Sequence, residues 1–207
     1  MSLYGLVICG GESTRMGTDK SLLVYYQKPQ HEHVADLLAP LCERVILCCN
    51  AEQYKAFRTG YPKLADLPKY GGAGPMSGLL TAFETFPGND FLVAGCDYPY
   101  LSTDELANFL HNTDKDLPAA AFYNANGFYE PLLGWYSQST NNALRKAFEN
   151  GSRSLQRFLI AENAGKYRPL SGKTMLSADT MDDFQSVKRA LESENDFQNG
   201  DQFDNQP

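Results

Sequence analysis

Residues 6 to 21 read LVICGGESTRMGTDKS: an apolar run closed by Gly10 and Gly11, with Arg15, Gly17 and Lys20 close behind. Glycines let a backbone approach a ligand that a Cβ would repel, and successive exposed N–H groups form a concavity that favours anions. Arg15 and Lys20 add full positive charge to such a concavity. The chemistry these residue types suit is capture of a phosphorylated ligand at the end of a buried strand. A Walker A loop does not fit, because it needs Gly, four residues and then Gly-Lys-Ser/Thr, and neither Gly10 nor Gly11 is followed by a glycine at that spacing.

Three further places have residue types suited to the same task. The segment YGGAGPMSG, Tyr70 to Gly78, opens a helix-like stretch and can admit a flat base or a ribose close to the backbone. A nicotinamide-binding turn is a poor reading of it, since no apolar strand runs directly into it and Pro75 occupies the turn. Asp97 follows directly on the apolar run DFLVAGC. A carboxylate there, facing a phosphate-gathering loop, suits Mg²⁺, which needs one or two carboxylates beside phosphate oxygens and water. Glu130 precedes Pro131 and a strongly apolar stretch, as a substrate contact or a surface strand charge. His31 and His33 lack partners at metal-ligand spacing and are expected to be solvated at a helix start. Ser13 lacks the Gly-x-Ser-x-Gly context of a nucleophile.

These residues need elements to position them. Apolar runs alternate with helix-like stretches through the first half, which predicts an α/β fold with a largely parallel sheet. Leu3 to Cys9, RVILCCN and DFLVAGCD read as buried strands, and HEHVADLLAPL carries apolar residues at the spacing of a helix face. Pro75 suits the first turn of a helix, and Ser102 to Glu105 has the form of a capping box. Two apolar runs around Asn126-Gly127 predict an antiparallel hairpin on this sheet. Helices over 140–149 and 154–160, a short strand near 165–169 and a helix over 180–191 complete one domain over residues 1–191. The acidic stretch 192–207 is expected to be a disordered tail.

At 207 residues the chain can bury roughly 70% of its unfolded surface without disulfide staples. Its five cysteines show no C-x-x-C pair and read as reduced, packed thiols. The net charge of −7 offers no basic face, so no nucleic acid partner is expected. No apolar stretch approaches membrane-spanning length, which leaves no membrane partner and a cytoplasmic protein as the expectation.

In this order, the segments resemble one family. GGESTRMGTDK is similar to the signature loop of the nucleoside-triphosphate transferases, Leu-Ala-Gly-Gly-x-Ser-x-Arg-Met-Gly-x-x-Lys. GGAGPMSGL resembles the Gly-Pro-Leu-Ala-Gly element of the molybdenum cofactor guanylyltransferases, and CDYPYL and EPLLGWYS…GSRSLQRFL match that family's later segments. The resemblance covers residues 4 to about 190. It implies a Rossmann-like fold of the nucleotide-diphospho-sugar transferase type and Mg²⁺-dependent transfer of GMP from GTP to molybdopterin, with pyrophosphate released. It also implies transient contact with other molybdenum cofactor enzymes.

By the same resemblance, Ile8, Cys9, Gly10, Gly11, Gly74, Pro75 and Gly78 would contact the nucleotide, and Arg15 and Lys20 its phosphates. Asp97 would hold Mg²⁺. Asp66 matches a family nucleotide-binding aspartate, and Asn50 lies near a family asparagine whose strict position falls on Cys48 or Cys49. Where the family shows Asn-x-Asn-Thr-Pro before its last helix, this chain has SADTMDDF, so Asp179 and Met181 stand in place of an asparagine and a proline at a segment associated with the pterin. Rival readings are a transferase using CTP or a sugar or polyol phosphate, and a non-catalytic nucleotide-binding module.

Overall fold

The strand segments are apolar at consecutive positions, so both of their faces have to be covered. Leu6 and Ile8 join one buried cluster with Met76, Leu79, Phe83, Leu144 and Phe158. Val7 and Cys9, pointing the other way, join a second cluster with Val34, Leu38, Leu106 and Phe109. The result is a sheet between two helical layers. The computed structural model describes residues 2–9 and 18–200, and of residues 194–200 only the backbone.

The strands are β1 (Leu3–Ile8), β2 (Arg44–Cys49), β3 (Lys63–Ala65), β4 (Asp90–Gly95), β5 (Ala119–Tyr123), β6 (Tyr129–Tyr136) and β7 (Gly165–Tyr167). The helices are α1 (Gln30–Leu38), α2 (Ala51–Ala56), α3 (Pro75–Thr85), α4 (Thr103–Asn112), α5 (Thr140–Glu149), α6 (Leu155–Ala161) and α7 (Met181–Gly200). The sheet order is β3-β2-β1-β4-β6-β5-β7. All neighbours are parallel except β6, which runs against both β4 and β5. The β5–β6 hairpin turns at Asn126-Gly127, where Gly127 takes a φ of +85°.

From β1 the chain moves outward through β2 and β3, then returns to pair β4 with the other edge of β1. That reversal opens a crevice at the carboxyl ends of β1 and β4, the place where open α/β sheets bind ligands. Cys9 and Asp97 lie there, just beyond the last paired residues Ile8 and Gly95.

Several elements depart from expectation. The short α2 and β3 have no periodic apolar signal: α2 is held by its start, where Asn50 caps it, and β3 is a three-residue edge strand. Ser102 caps α4 by accepting from Glu105 N at 3.2 Å, but the Glu105 carboxylate does not close the box. It accepts instead from Tyr167 Oη at 2.6 Å and Leu170 N at 3.2 Å, fastening the segment after β7. His31 and His33 are not solvated. His31 stacks on Phe57 with centroids 4.2 Å apart and its Nδ1 lies 2.8 Å from the Ser21 carbonyl, while His33 stacks on Tyr26 and burial lowers its pKa. Helix α7 continues past residue 191 to Gly200, and residues 201–207 lie outside the described ones.

Candidate active site

On the β2 side of the crevice lies a cavity of about 530 Å³, lined by Ile8, Cys48, Asn50, Asp66 and the segment Gly71 to Gly78. Its shape comes from the backbone. Gly74 caps α3 with φ +54° and ψ −135°, a conformation that a side chain would strain, and Pro75 follows at the first helical position. Gly78 faces the cavity floor so closely that an added Cβ would meet Cys48 Sγ and Ile8 Cδ1 at 3.0 Å each.

Asp66 sits one residue beyond β3, its N–H donating to the Cys49 carbonyl at 3.2 Å. Burial pushes its carboxyl up to about 6, against a small opposing contribution from Cys48, whose thiol lies 3.9 Å away. Burial also raises the Cys48 thiol, which stays protonated and packs as a small apolar group. Asn50 lines the rim, but its carbonyl oxygen already accepts from Glu52 N and Gln53 N at the start of α2.

On the β4 side three charges meet. Lys20 begins a short 3-10 turn, Lys20–Leu22, and its Nζ lies 2.6 Å from Asp179 Oδ1 and 3.4 Å from Asp97 Oδ1. Burial opposes the Lys20 charge, but the Asp179 hydrogen bond and the Asp97 charge outweigh it and raise its pKa. Asp97 is raised by burial, which Lys20 offsets only in part and the Asp179 charge reinforces. Asp179 reaches this cluster because Ala178 N donates to the Asp97 carbonyl at 3.3 Å and Asp183 accepts from the backbone of Asp179 and Thr180.

The structure thus brings Ile8, Asn50, Asp66, Gly74, Pro75 and Gly78 into one cavity, and Lys20, Asp97 and Asp179 into one cluster. Cys9, the residue after β1, is buried in the second core cluster and does not line the cavity. Gly10, Gly11 and Arg15 lie outside the described residues. Glu130 stands apart from both: Tyr98 Oη donates to one of its oxygens at 3.0 Å and Asn124 Nδ2 to the other at 2.8 Å, so it braces the residue next to Asp97. Sequence reasoning missed Asp19, which caps the turn carrying Lys20 by accepting from Ser21 N at 2.9 Å. Its signal was local, an aspartate preceding a Lys-Ser pair.

Among the described residues no group of three or more His, Cys, Asp or Glu side chains is placed to hold a metal. A divalent cation with phosphate-oxygen ligands asks for less than that. Asp97 fits such a use, since it is a carboxylate whose burial is incompletely compensated by Lys20.

Residues 5–166 match the model of the MobA-like NTP transferase domain. A molybdenum cofactor biosynthesis bifunctional protein of Synechocystis is 36% identical over 170 residues, covering 81% of this chain and 44% of that protein. The chain therefore spans less than half the length of that relative. A molybdenum cofactor guanylyltransferase of Pasteurella multocida is 28% identical over 165 residues, 79% of this chain and 87% of its own. Among solved structures, molybdopterin-guanine dinucleotide biosynthesis protein A from Archaeoglobus fulgidus superposes with a TM-score of 0.74 at 22% identity, over 92% of this chain and 99% of that one. This last likeness is one of fold.

Proposed function

This chain belongs to the MobA-like NTP transferase family, and from that membership we propose that it transfers GMP from GTP to molybdopterin, forming the guanine dinucleotide cofactor and releasing pyrophosphate. The observation that carries the reading is the split crevice: a backbone-shaped cavity on the β2 side and a lysine between two carboxylates on the β4 side.

In this reading the base enters the cavity beside Gly74 to Gly78, and the Asp66 carboxylate accepts N–H groups of the guanine edge. The strand end at Ile8 and Cys9 leads into the glycine pair, and Lys20 with Arg15 holds the phosphates. A phosphate oxygen of molybdopterin attacks the α-phosphorus in line; the new P–O bond forms as the bond to pyrophosphate breaks. The nucleophile is already ionised, so no side chain has to remove a proton, and the protein's work is positioning and charge neutralisation. Asp97 would hold Mg²⁺, which supplies positive charge to the phosphate oxygens. Asp179, and more remotely Glu130, flank the acceptor's side. Five free thiols suit a reducing compartment, and cytoplasm is the location proposed.

The test is pyrophosphate release from GTP, CTP, ATP and UTP with Mg²⁺, each with and without molybdopterin. Release from GTP that depends on molybdopterin is expected. Dependence on CTP, or release only with a sugar or polyol phosphate, would reassign the base or the acceptor within the same fold.

A further inference from the structure

Helix α2 starts with a reciprocal cap. Gln53 N donates to Asn50 Oδ1 at 2.9 Å, and Asn50 N donates back to Gln53 Oε1 at 3.1 Å. This fixes the Gln53 side chain with its NH₂ turned toward the strand ends. There Nε2 donates to the Cys9 carbonyl at 3.0 Å and to Asp19 Oδ2 at 2.7 Å. Both amide hydrogens and the amide oxygen are used, and the residue is only 6% exposed. The other Asp19 oxygen accepts from Ser21 N and Ser21 Oγ, fixing the turn that begins with Lys20.

We propose that Gln53 is a positioning residue for Lys20. It ties the end of β1 to the start of the Lys20–Leu22 turn, and it keeps the neighbouring Asp19 carboxylate occupied. Without that donor one Asp19 oxygen, beside Lys20 in the chain, has lost its partner and competes with phosphate for the lysine's charge. Position 53 demands two donors and one acceptor at a single buried point, which among side chains of this length only a primary amide provides. A glutamate would set a second carboxylate against Asp19, and a methionine would leave Asp19 and the Cys9 carbonyl without their donor.

The inference rests on the proposed role of Lys20 at the phosphates, so calorimetric titration of the unaltered protein with GTP and Mg²⁺ comes first. Absence of binding would overturn that role and the inference with it. Gln53→Ala is expected to weaken GTP binding about tenfold and Gln53→Glu about a hundredfold, the range that loss of hydrogen bonds to a charged group gives. The deciding variant combines Asp19→Asn with Gln53→Glu, so that amide and carboxylate exchange places; it should bind GTP at least about tenfold more tightly than Gln53→Glu alone. All titrations are run well below each variant's thermal midpoint, and the exchange decides the matter where Gln53→Ala does not fold. GTP affinity of Gln53→Ala within about twofold of the unaltered protein, or no recovery in the exchange, would overturn the proposal.

Discussion

On the β2 side of the crevice, the cavity is lined by glycine backbone, Ile8, the Cys48 thiol, Asn50 and a single carboxylate, Asp66; on the β4 side Lys20 meets two carboxylates, Asp97 and Asp179. The first half takes its shape from Gly74, which caps α3, and from Gly78, which packs against Ile8 and Cys48. The second half sets one lysine against two carboxylates, and in the proposed reaction Lys20 exchanges these partners for phosphate. In the proposed reaction the first half receives the base and the second handles the phosphate charge. Mutations of the cavity should therefore show in KM for GTP with kcat kept, whereas loss of Asp97 should show in kcat.

The sharpest way to break that contrast is Asp97→Ala. Loss of metal-dependent pyrophosphate release by about a thousandfold is expected. The thermal midpoint should be unchanged or higher, because burial raises the Asp97 carboxyl and the charged form is disfavoured in the fold. Retained turnover would remove Asp97 from the reaction.

Gly78→Ala tests the other half. Its Cβ would crowd Cys48 and Ile8, so KM for GTP should rise about tenfold with kcat within about twofold, and adding Cys48→Ala should recover part of the loss. A drop confined to kcat would mean that the cavity is not where the base sits.

A smaller effect is expected from Asp179→Asn. Removing one carboxylate from Lys20 should tighten GTP binding about threefold in low salt, with the gain shrinking as ionic strength rises. Weaker binding would show that Asp179 assists the phosphates and does not compete with them.

Smallest is the pH response of the base pocket. Because the Asp66 carboxyl is pushed up to about 6, it takes up its proton at higher pH than an ordinary aspartate and loses an acceptor for guanine N–H as it does so. KM for GTP should thus rise as pH falls, about twofold by pH 6 relative to pH 8, and Asp66→Asn should flatten the profile.

The elements around the cavity were the legible ones. Continuous apolar runs in β1, β2 and β4, Pro75 at the start of α3 and Ser102 before α4 are local signals, and each lies where local chemistry put it. The charge cluster was legible only as separate candidates. Lys20 and Asp97 were singled out by their positions after strands, but the bond from Lys20 to Asp179 joins residues 159 positions apart, which no local pattern encodes. The same holds for His31, whose ring stacks on Phe57 beyond β2, and for Glu105, which serves Tyr167 and Leu170 where its spacing suggested a cap. Gln53 carried no signal in the sequence analysis; that its amide reaches Cys9 and Asp19 is a fact of tertiary structure.

The tie between Lys20 and Asp179 also bears on how the molecule comes into being. The residues of the cavity and Asp97 all precede β5, whereas Asp179 is made after every strand of the sheet. A domain folds as a unit, and contacts across long separations close late. The contact between Lys20 and Asp179 therefore waits on a segment that is made after all seven strands. The second carboxylate with a claim on Lys20 is thus the last member of the cluster to be synthesised.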